Sequence, residues 1–245
     1  MTNTTTTTTW RSHPYYPPTA AIDYVPNASP LSVILGAFGG LIGAWVLGWL
    51  GLAKRISSAG KQGLSGADWF SVGWFALCGF LHIFFEGHFI LNHASLASSQ
   101  SLFSQLWKEY SLSDSRYLSS DPFMLCIESL TLLLWGPLSL LSVVLTARST
   151  RRRSATEQTV RHLTQAAVSV AHLYGAALYY GTCGFAEHIR GEVYSRPEFL
   201  YYWVYYAGMN APWGVVPIWL LWRSAKAIRG AFEAAERAQE ERKGK

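Results

Sequence analysis

Five apolar stretches, at residues 31–53, 69–93, 123–147, 163–185 and 199–222, constrain this chain more than any other feature. Each reaches the roughly 20 residues that an α-helix needs to cross about 30 Å of hydrocarbon. Lipid leaves the backbone two spanning solutions, helices or closed barrels, and these runs show no period-2 alternation, so they read as helices. Only 14% of the residues are charged and 50% are hydrophobic, a balance that excludes disorder and fits no ordinary soluble domain. The expected fold class is an all-α integral membrane protein, a bundle of five transmembrane helices. The expected organisation is a polar tail (1–30), a first membrane helix (31–53), a four-helix membrane domain (69–222) and a charged tail (223–245).

The net charge of +5 is distributed by side of the membrane. Lys54, Arg55 and Lys61 follow the first stretch, Arg148, Arg151, Arg152, Arg153 and Arg161 lie between the third and fourth, and seven more basic residues follow Trp222. The other side holds Arg11, Lys108, Arg116, Arg190 and Arg196. The positive-inside rule then places the C-terminus in the cytosol and the N-terminus outside it. Basic runs beside a bilayer are topology signals, so nucleic acid is not an expected partner. No cleavable leader is read at the threonine-rich start, and Cys78, Cys126 and Cys183 fall in apolar stretches where packing is the expected role.

The first stretch contains Gly36, Gly39, Gly40 and Gly43 at small-xxx-small spacing, which suits close helix packing within the bundle or at a homodimer seam. Pro122 is expected to open the third helix, while Pro137, Pro212 and Pro217 fall inside the third and fifth.

A charged side chain at mid-membrane costs roughly 3 kcal/mol on insertion scales, so the polar residues inside the stretches need a reason. His82 and Glu86 share a face at i, i+4, Glu128 and Thr131 at i, i+3, and Asn210 and Trp213 at i, i+3. At about 1.5 Å per residue, Glu86 and Glu128 lie roughly 8–10 Å below the non-cytosolic surface, with His82 and Asn210 somewhat deeper. Separately, each is ordinary interhelical packing. Together they set two carboxyls and an imidazole at overlapping depths with no intramembrane Lys or Arg to pair them. Burial disfavours the charged form of either group, so such a set can keep a proton on one carboxyl and a base beside it, as acid–base work on an apolar substrate requires. A metal site drawn from His82, Glu86 and His93 would stretch over three helical turns, and no clustered HxxxH or HxxHH motif is present. A proton-coupled transporter fits poorly, because no internal repeat is visible.

The strings CGFLHIFFEGHF, LFSQLWKEYSLSDSRY, CIESLTLLLWGPLSL, LYGAALYY and MNAPWGVVP, spread over residues 25–222, resemble the emopamil-binding protein family. Those proteins are sterol Δ8–Δ7 isomerases of the endoplasmic reticulum built on the EXPERA domain, which the sigma-2 receptor shares. The resemblance implies five helices around an intramembrane sterol cavity, with the four-helix part as the EXPERA-like domain. It implies His82, Glu86 and Glu128 as catalytic groups and Tyr117, Thr131, Asn210 and Trp213 as substrate-binding groups, with no cofactor or metal. A sterol substrate, cationic amphiphilic amines and membrane lipid are the implied partners. The implied location is the endoplasmic reticulum membrane, multi-pass, N-terminus lumenal. This chain departs from the family pattern at His88, at Ala176 and across residues 181–197. Two other functions compete: a non-catalytic sterol or amine binder resembling the sigma-2 receptor, and an isomerase of a related steroid or terpenoid.

Overall fold

The computed structural model describes residues 22–58, 63–152 and 154–244, and contains no β-strand among them. The tail through residue 21, with Arg11 and His13, lies outside the described residues, as do Lys61, Arg153, Lys245 and the side chains of Arg151 and Arg152. Helix α1 is Leu31–Ser57. Helix α2 (Gly66–Phe80) runs through a π-helical turn (Leu81–Glu86) into α3 (Gly87–Asn92), giving one continuous rod. Helix α4 (Leu102–Tyr110) and a 3₁₀ turn (Ser115–Tyr117) lie in the following connection. Helix α5 (Pro122–Leu130) passes through a second π-helical turn (Thr131–Trp135) into α6 (Gly136–Arg152). Helix α7 is Ala155–Phe185, and the last rod is a π-helical segment (Leu200–Gly208) followed by α8 (Pro212–Lys243).

Three of these rods are long and apolar enough to cross a membrane: Leu31–Ser57, Gly66–Asn92 and Pro122–Ser149. The remaining two deviate from the expected apolar windows for definite reasons. Helix α7 starts at Ala155, so most of the expected loop at 148–162 is helical, and its first half carries Glu157, Arg161, His162 and Gln165. The stretch 199–222 is not one continuous α-helix. It breaks at Ala211, and Pro212 opens α8 instead of lying inside a helix, because proline suits the first turn, where its missing N–H has no partner to lose. Pro122 opens α5 as expected.

Asp68 ties α2, α7 and α8 together at one end of the bundle. It completes a capping box with Ser65 at the start of α2, where Ser65 N donates to Asp68 Oδ2 at 3.1 Å and Asp68 N to Ser65 Oγ at 3.2 Å. Its other oxygen accepts from Arg161 of α7 and, at 3.2 Å, from Arg223 of α8. A buried carboxylate held by two guanidiniums is fully paired, as burial of charge requires. Above it lies an apolar core of Val72, Phe75, Cys78, Val143, Val168 and Leu220.

The helix–helix contacts do not run where the glycine pattern suggested. A Cβ at Gly36, Gly39, Gly40 or Gly43 would meet nothing within 4 Å, so among the described residues the first-helix glycines pack against no part of their own bundle. The tight seam lies between the two π-turned rods. There a Cβ on Gly136 would sit 2.8 Å from Ile83 Cγ1 and 3.2 Å from His82 Cβ, and one on Gly79 would fall 2.4 Å from Leu140 Cδ2. Gly136→Val should therefore overpack the seam, cost about 1–3 kcal/mol and lower the unfolding midpoint in detergent. Gly39→Val, on the open face of α1, should leave that midpoint unchanged.

Candidate active site

A cavity of about 830 Å³ opens between the rods, within the roughly 300–1,000 Å³ usual for small-molecule sites. Its walls are mostly apolar and aromatic, with Phe38, Leu81, Phe85, Phe123, Ile127 and Trp135 among them. His82, Glu86, Tyr117, Glu128, Thr131, Asn210 and Trp213 all line it, so the residues singled out by depth and resemblance share one space. His82 and Glu128 are nearly fully buried, at 3% and 8% exposure.

Both π-helical turns fall at this wall. A π-turn inserts an extra residue into the rod, redirects the side chains around it and frees carbonyls from the α-helical ladder. His82 and Glu86 occupy the first, and Thr131 opens the second. His82 Nδ1 lies 2.7 and 2.8 Å from the two Glu86 oxygens. Thr131 Oγ1 lies 2.5 Å from Glu86 Oε2, 2.7 Å from the Glu128 carbonyl and 3.2 Å from Glu128 Oε2. Tyr117 donates its hydroxyl to Glu128 Oε1 at 2.6 Å. The result is one hydrogen-bonded line, Tyr117–Glu128–Thr131–Glu86–His82, crossing from the connection to the two facing rods.

Proton counting orders this line. Thr131 has one O–H and faces two carboxyls, and its shorter contact is to Glu86. With the imidazole donating through Nδ1, Glu86 is the anionic end. In that arrangement a proton on Glu128, donated to the threonine oxygen, satisfies the longer contact to Glu128 Oε2. Arranged so, the line holds one neutral carboxylic acid and one carboxylate–imidazole pair.

The connection between the second and third rods positions Tyr117. Asp114 is fully buried and pairs with Arg116 at 2.6 Å, while Arg116 Nη1 donates to Thr182 at 2.8 Å and its guanidinium lies 5.3 Å from the Tyr179 ring centre. Burial alone would lower the Arg116 pKa; the charge and hydrogen bonds of Asp114 outweigh it and raise that pKa, so the guanidinium stays charged. Trp107 stacks on Phe85 with ring centres 4.1 Å apart, and its indole N–H donates 2.8 Å to the Phe85 carbonyl, inside the π-turn. Lys108, also buried, donates to the Val25 carbonyl at 2.8 Å. This connection is therefore a plug seated in the bundle.

Asn210 is fixed from the opposite side, where its amide donates to the Tyr206 carbonyl at 2.8 Å and to the Tyr110 hydroxyl at 2.9 Å. Trp213 lies beside Trp74, ring centres 5.2 Å apart. The cavity also includes Glu109, Tyr110, His172 and Tyr179, none of which was anticipated. Burial raises the Glu109 pKa, opposed by a hydrogen bond from Tyr205. The missed signal for His172 was available, since an imidazole sits midway along the fourth apolar stretch. Ala176 lines the cavity, whereas His88 bonds Ser104 at 2.8 Å away from it and residues 181–197 contribute nothing to its wall. Cys126 is exposed and borders the cavity, contrary to the expected packing role, while Cys78 and Cys183 are buried.

His93 bonds Ser120 at 2.9 Å and stands apart from His82 and Glu86, so the three-residue metal site considered from sequence does not assemble. Cys78, His82 and His172 do bring ligand atoms within 4.8 Å of one another. Both His82 nitrogens are already engaged, one by Glu86 and one by His172 at 3.0 Å.

Residues 102–224 match the EXPERA (EXPanded EBP superfamily) family. The chain is 38% identical over 235 residues to the mouse 3-beta-hydroxysteroid-Delta(8),Delta(7)-isomerase, covering 92% of this chain and 93% of the mouse protein. It is 36% identical over 247 residues to the guinea pig (Cavia porcellus) protein of the same name, covering 98% and 99%. It is also 33% identical over 156 residues to an isomeliandiol synthase of Melia azedarach, covering 63% and 67%.

Thr131→Val keeps the shape of the side chain and removes the hydroxyl that joins the two carboxyls. It should lower the unfolding midpoint in detergent, by about 1–3 kcal/mol for the stranded buried groups, and Thr131→Ser should restore it. An unchanged midpoint in the valine variant would mean that the hydroxyl does not join them.

Proposed function

The chain belongs to the EXPERA (expanded EBP) family, and from that membership we propose that it is a sterol Δ8–Δ7 isomerase acting within a membrane. The reaction moves a ring double bond: an acid adds a proton at C9, a carbocation forms at C8, and loss of a proton from C7 creates the new double bond. One proton is gained and one lost, with no net oxidation, so the chemistry calls for an acid, a base and a dry site that tolerates a cation.

The observation that carries the reading is the hydrogen-bonded line in the wall of an otherwise apolar cavity. Glu128 is the proton donor, being the carboxyl to which that arrangement assigns the proton. Tyr117 and Thr131 hold it in place and stabilise the carboxylate it becomes. The His82–Glu86 pair is the accepting end, with the proton received on the Glu86 carboxylate that His82 holds in place. Trp213 supplies a π face to the cation, worth about 2 kcal/mol or more when desolvated, and Asn210 fixes the neighbouring wall. A non-catalytic sterol binder would need shape and one or two polar contacts, not a complete acid–base line.

In this reading five helices span the membrane of the endoplasmic reticulum, with α7 and the Leu200–Trp222 stretch as the fourth and fifth. The N-terminus is lumenal, the C-terminus cytosolic, and 69–222 is the catalytic unit. The open glycine face of α1 is left for lipid or a second copy. The isomeliandiol synthase relative supports a second reading, in which the same line acts on a related triterpenoid. Ala176, a small residue in the cavity wall, is where a larger ring system would find room.

Expression in cells lacking Δ8–Δ7 isomerase tests the proposal. The wild-type chain should restore Δ7 sterols, and Glu128→Gln should lower turnover by about 10²–10⁴-fold while the protein still folds and inserts. Normal Δ7 sterol levels with that variant would remove Glu128 as the acid and point to Glu86.

A site that stabilises a carbocation should also prefer an amine that carries the charge. A tertiary-amine sterol mimic should bind far better than its neutral carbon analogue, and Trp213→Ala should reduce both that preference and turnover. Competition binding of the two ligands measures it. Equal affinities on the wild type would show a pocket that reads only apolar shape.

A further inference from the structure

We propose that His172 is a positioning residue for His82, fixing which ring nitrogen of His82 carries the proton. The inference rests on the isomerase reading of the same site. Both nitrogens of His82 are occupied: Nδ1 faces the Glu86 oxygens at 2.7 and 2.8 Å, and Nε2 faces His172 Nε2 at 3.0 Å. Two imidazole nitrogens at that separation share one proton, since two lone pairs would repel and two N–H groups would clash. Glu86 takes the Nδ1–H of His82, so the proton between the rings belongs to His172.

The free nitrogen of His172 agrees with this assignment. Its Nδ1 is buried and has no hydrogen-bond partner. With the proton on Nε2, that position holds a bare lone pair. The opposite tautomer would strand a buried N–H there, and stranded donors are the rarer fault in folded proteins. The ring itself has little freedom to turn. It is 5% exposed, its centre lies 5.2 Å from that of His82, and it meets Trp74 edge-on at 6.5 Å. Trp74 in turn neighbours Trp213.

The consequence extends along the line. With His82 held by a donor at Nε2, its Nδ1–H stays on Glu86 and Glu86 stays the acceptor of the Thr131 hydroxyl. The transferable proton then remains on Glu128. Without the donor at 172, Glu86 alone holds that tautomer and His82 Nε2 is left without a partner, so the second tautomer becomes accessible and the proton on the carboxyl pair is less firmly placed. His172 contributes through His82 and needs no contact with the reacting carbons.

The test compares His172→Leu and His172→Gln in the full-length protein. Glutamine offers an N–H donor of similar reach without an ionisable ring. The leucine variant should lose about 10–100-fold in kcat, the scale of a displaced catalytic group, with little change in KM. The glutamine variant should recover most of that loss, at an unfolding midpoint equal to that of the leucine variant. Wild-type kcat in the leucine variant, or a glutamine variant equally slow, would overturn the proposal. Nitrogen-15 spectra of histidine-labelled protein read the same question without turnover. They should show His82 protonated at Nδ1 and bare at Nε2 in the wild type, and exchanging tautomers in His172→Leu; identical His82 signals in the two proteins would overturn it. A wild-type chain that fixes this tautomer but converts no sterol would instead contradict the isomerase reading.

Discussion

Hydrocarbon solvates neither a carboxyl nor an imidazole, and the bundle is organised around that constraint. Every ionisable group brought into the interior must meet a partner from the protein itself. At one end of the bundle Asp68 meets Arg161 and Arg223, and the result is a structural clamp across three helices. At the cavity Glu86 and Glu128 meet only a hydroxyl, a phenol and an imidazole. Those partners satisfy hydrogen bonds without supplying a full positive charge, so one proton must stay within the set. The same physics makes a lock in one place and a proton store in the other.

Backbone irregularity makes the second arrangement geometrically feasible. Two π-turns face each other across the Gly136 seam, close enough that no side chain fits at that position. They set His82, Glu86 and Thr131 on a shared surface, and they leave carbonyls that need other donors. The plug answers one of them through the indole of Trp107 and delivers Tyr117 to Glu128 on a turn pinned by the Asp114–Arg116 pair. The break before Pro212 does the same for the last rod, where Asn210 takes the Tyr206 carbonyl. The polar residues of the cavity are thus also the ones that repair the backbone around it.

Much of this could be read in the residues. Apolar runs long enough to span a membrane located the rods, and helical rise placed His82, Glu86, Glu128 and Asn210 at overlapping depths, and a single cavity contains them. Less legible were features set by packing between distant segments. The π-turns have no sequence periodicity of their own, and the residues between the second and third rods look like a polar loop until Trp107, Lys108 and Arg116 are seen buried. The glycines of α1 formed the strongest small-residue pattern, yet the close approach occurs at Gly79 and Gly136, where a single glycine suffices. His172 was passed over because its helix offers no second acidic or basic group at i±3 or i±4. Its partner lies on another helix, 90 positions away in the chain.

The central claim is that a neutral Glu128 faces an anionic Glu86 in the resting protein. Infrared difference spectroscopy of the purified chain at neutral pH reads it directly, because a protonated carboxyl absorbs apart from a carboxylate. The account predicts a buried carboxylic acid band in the wild type that shifts on deuteration and disappears in Glu128→Gln. Absence of the band in the wild type, or its loss in Glu86→Gln with retention in Glu128→Gln, would contradict it.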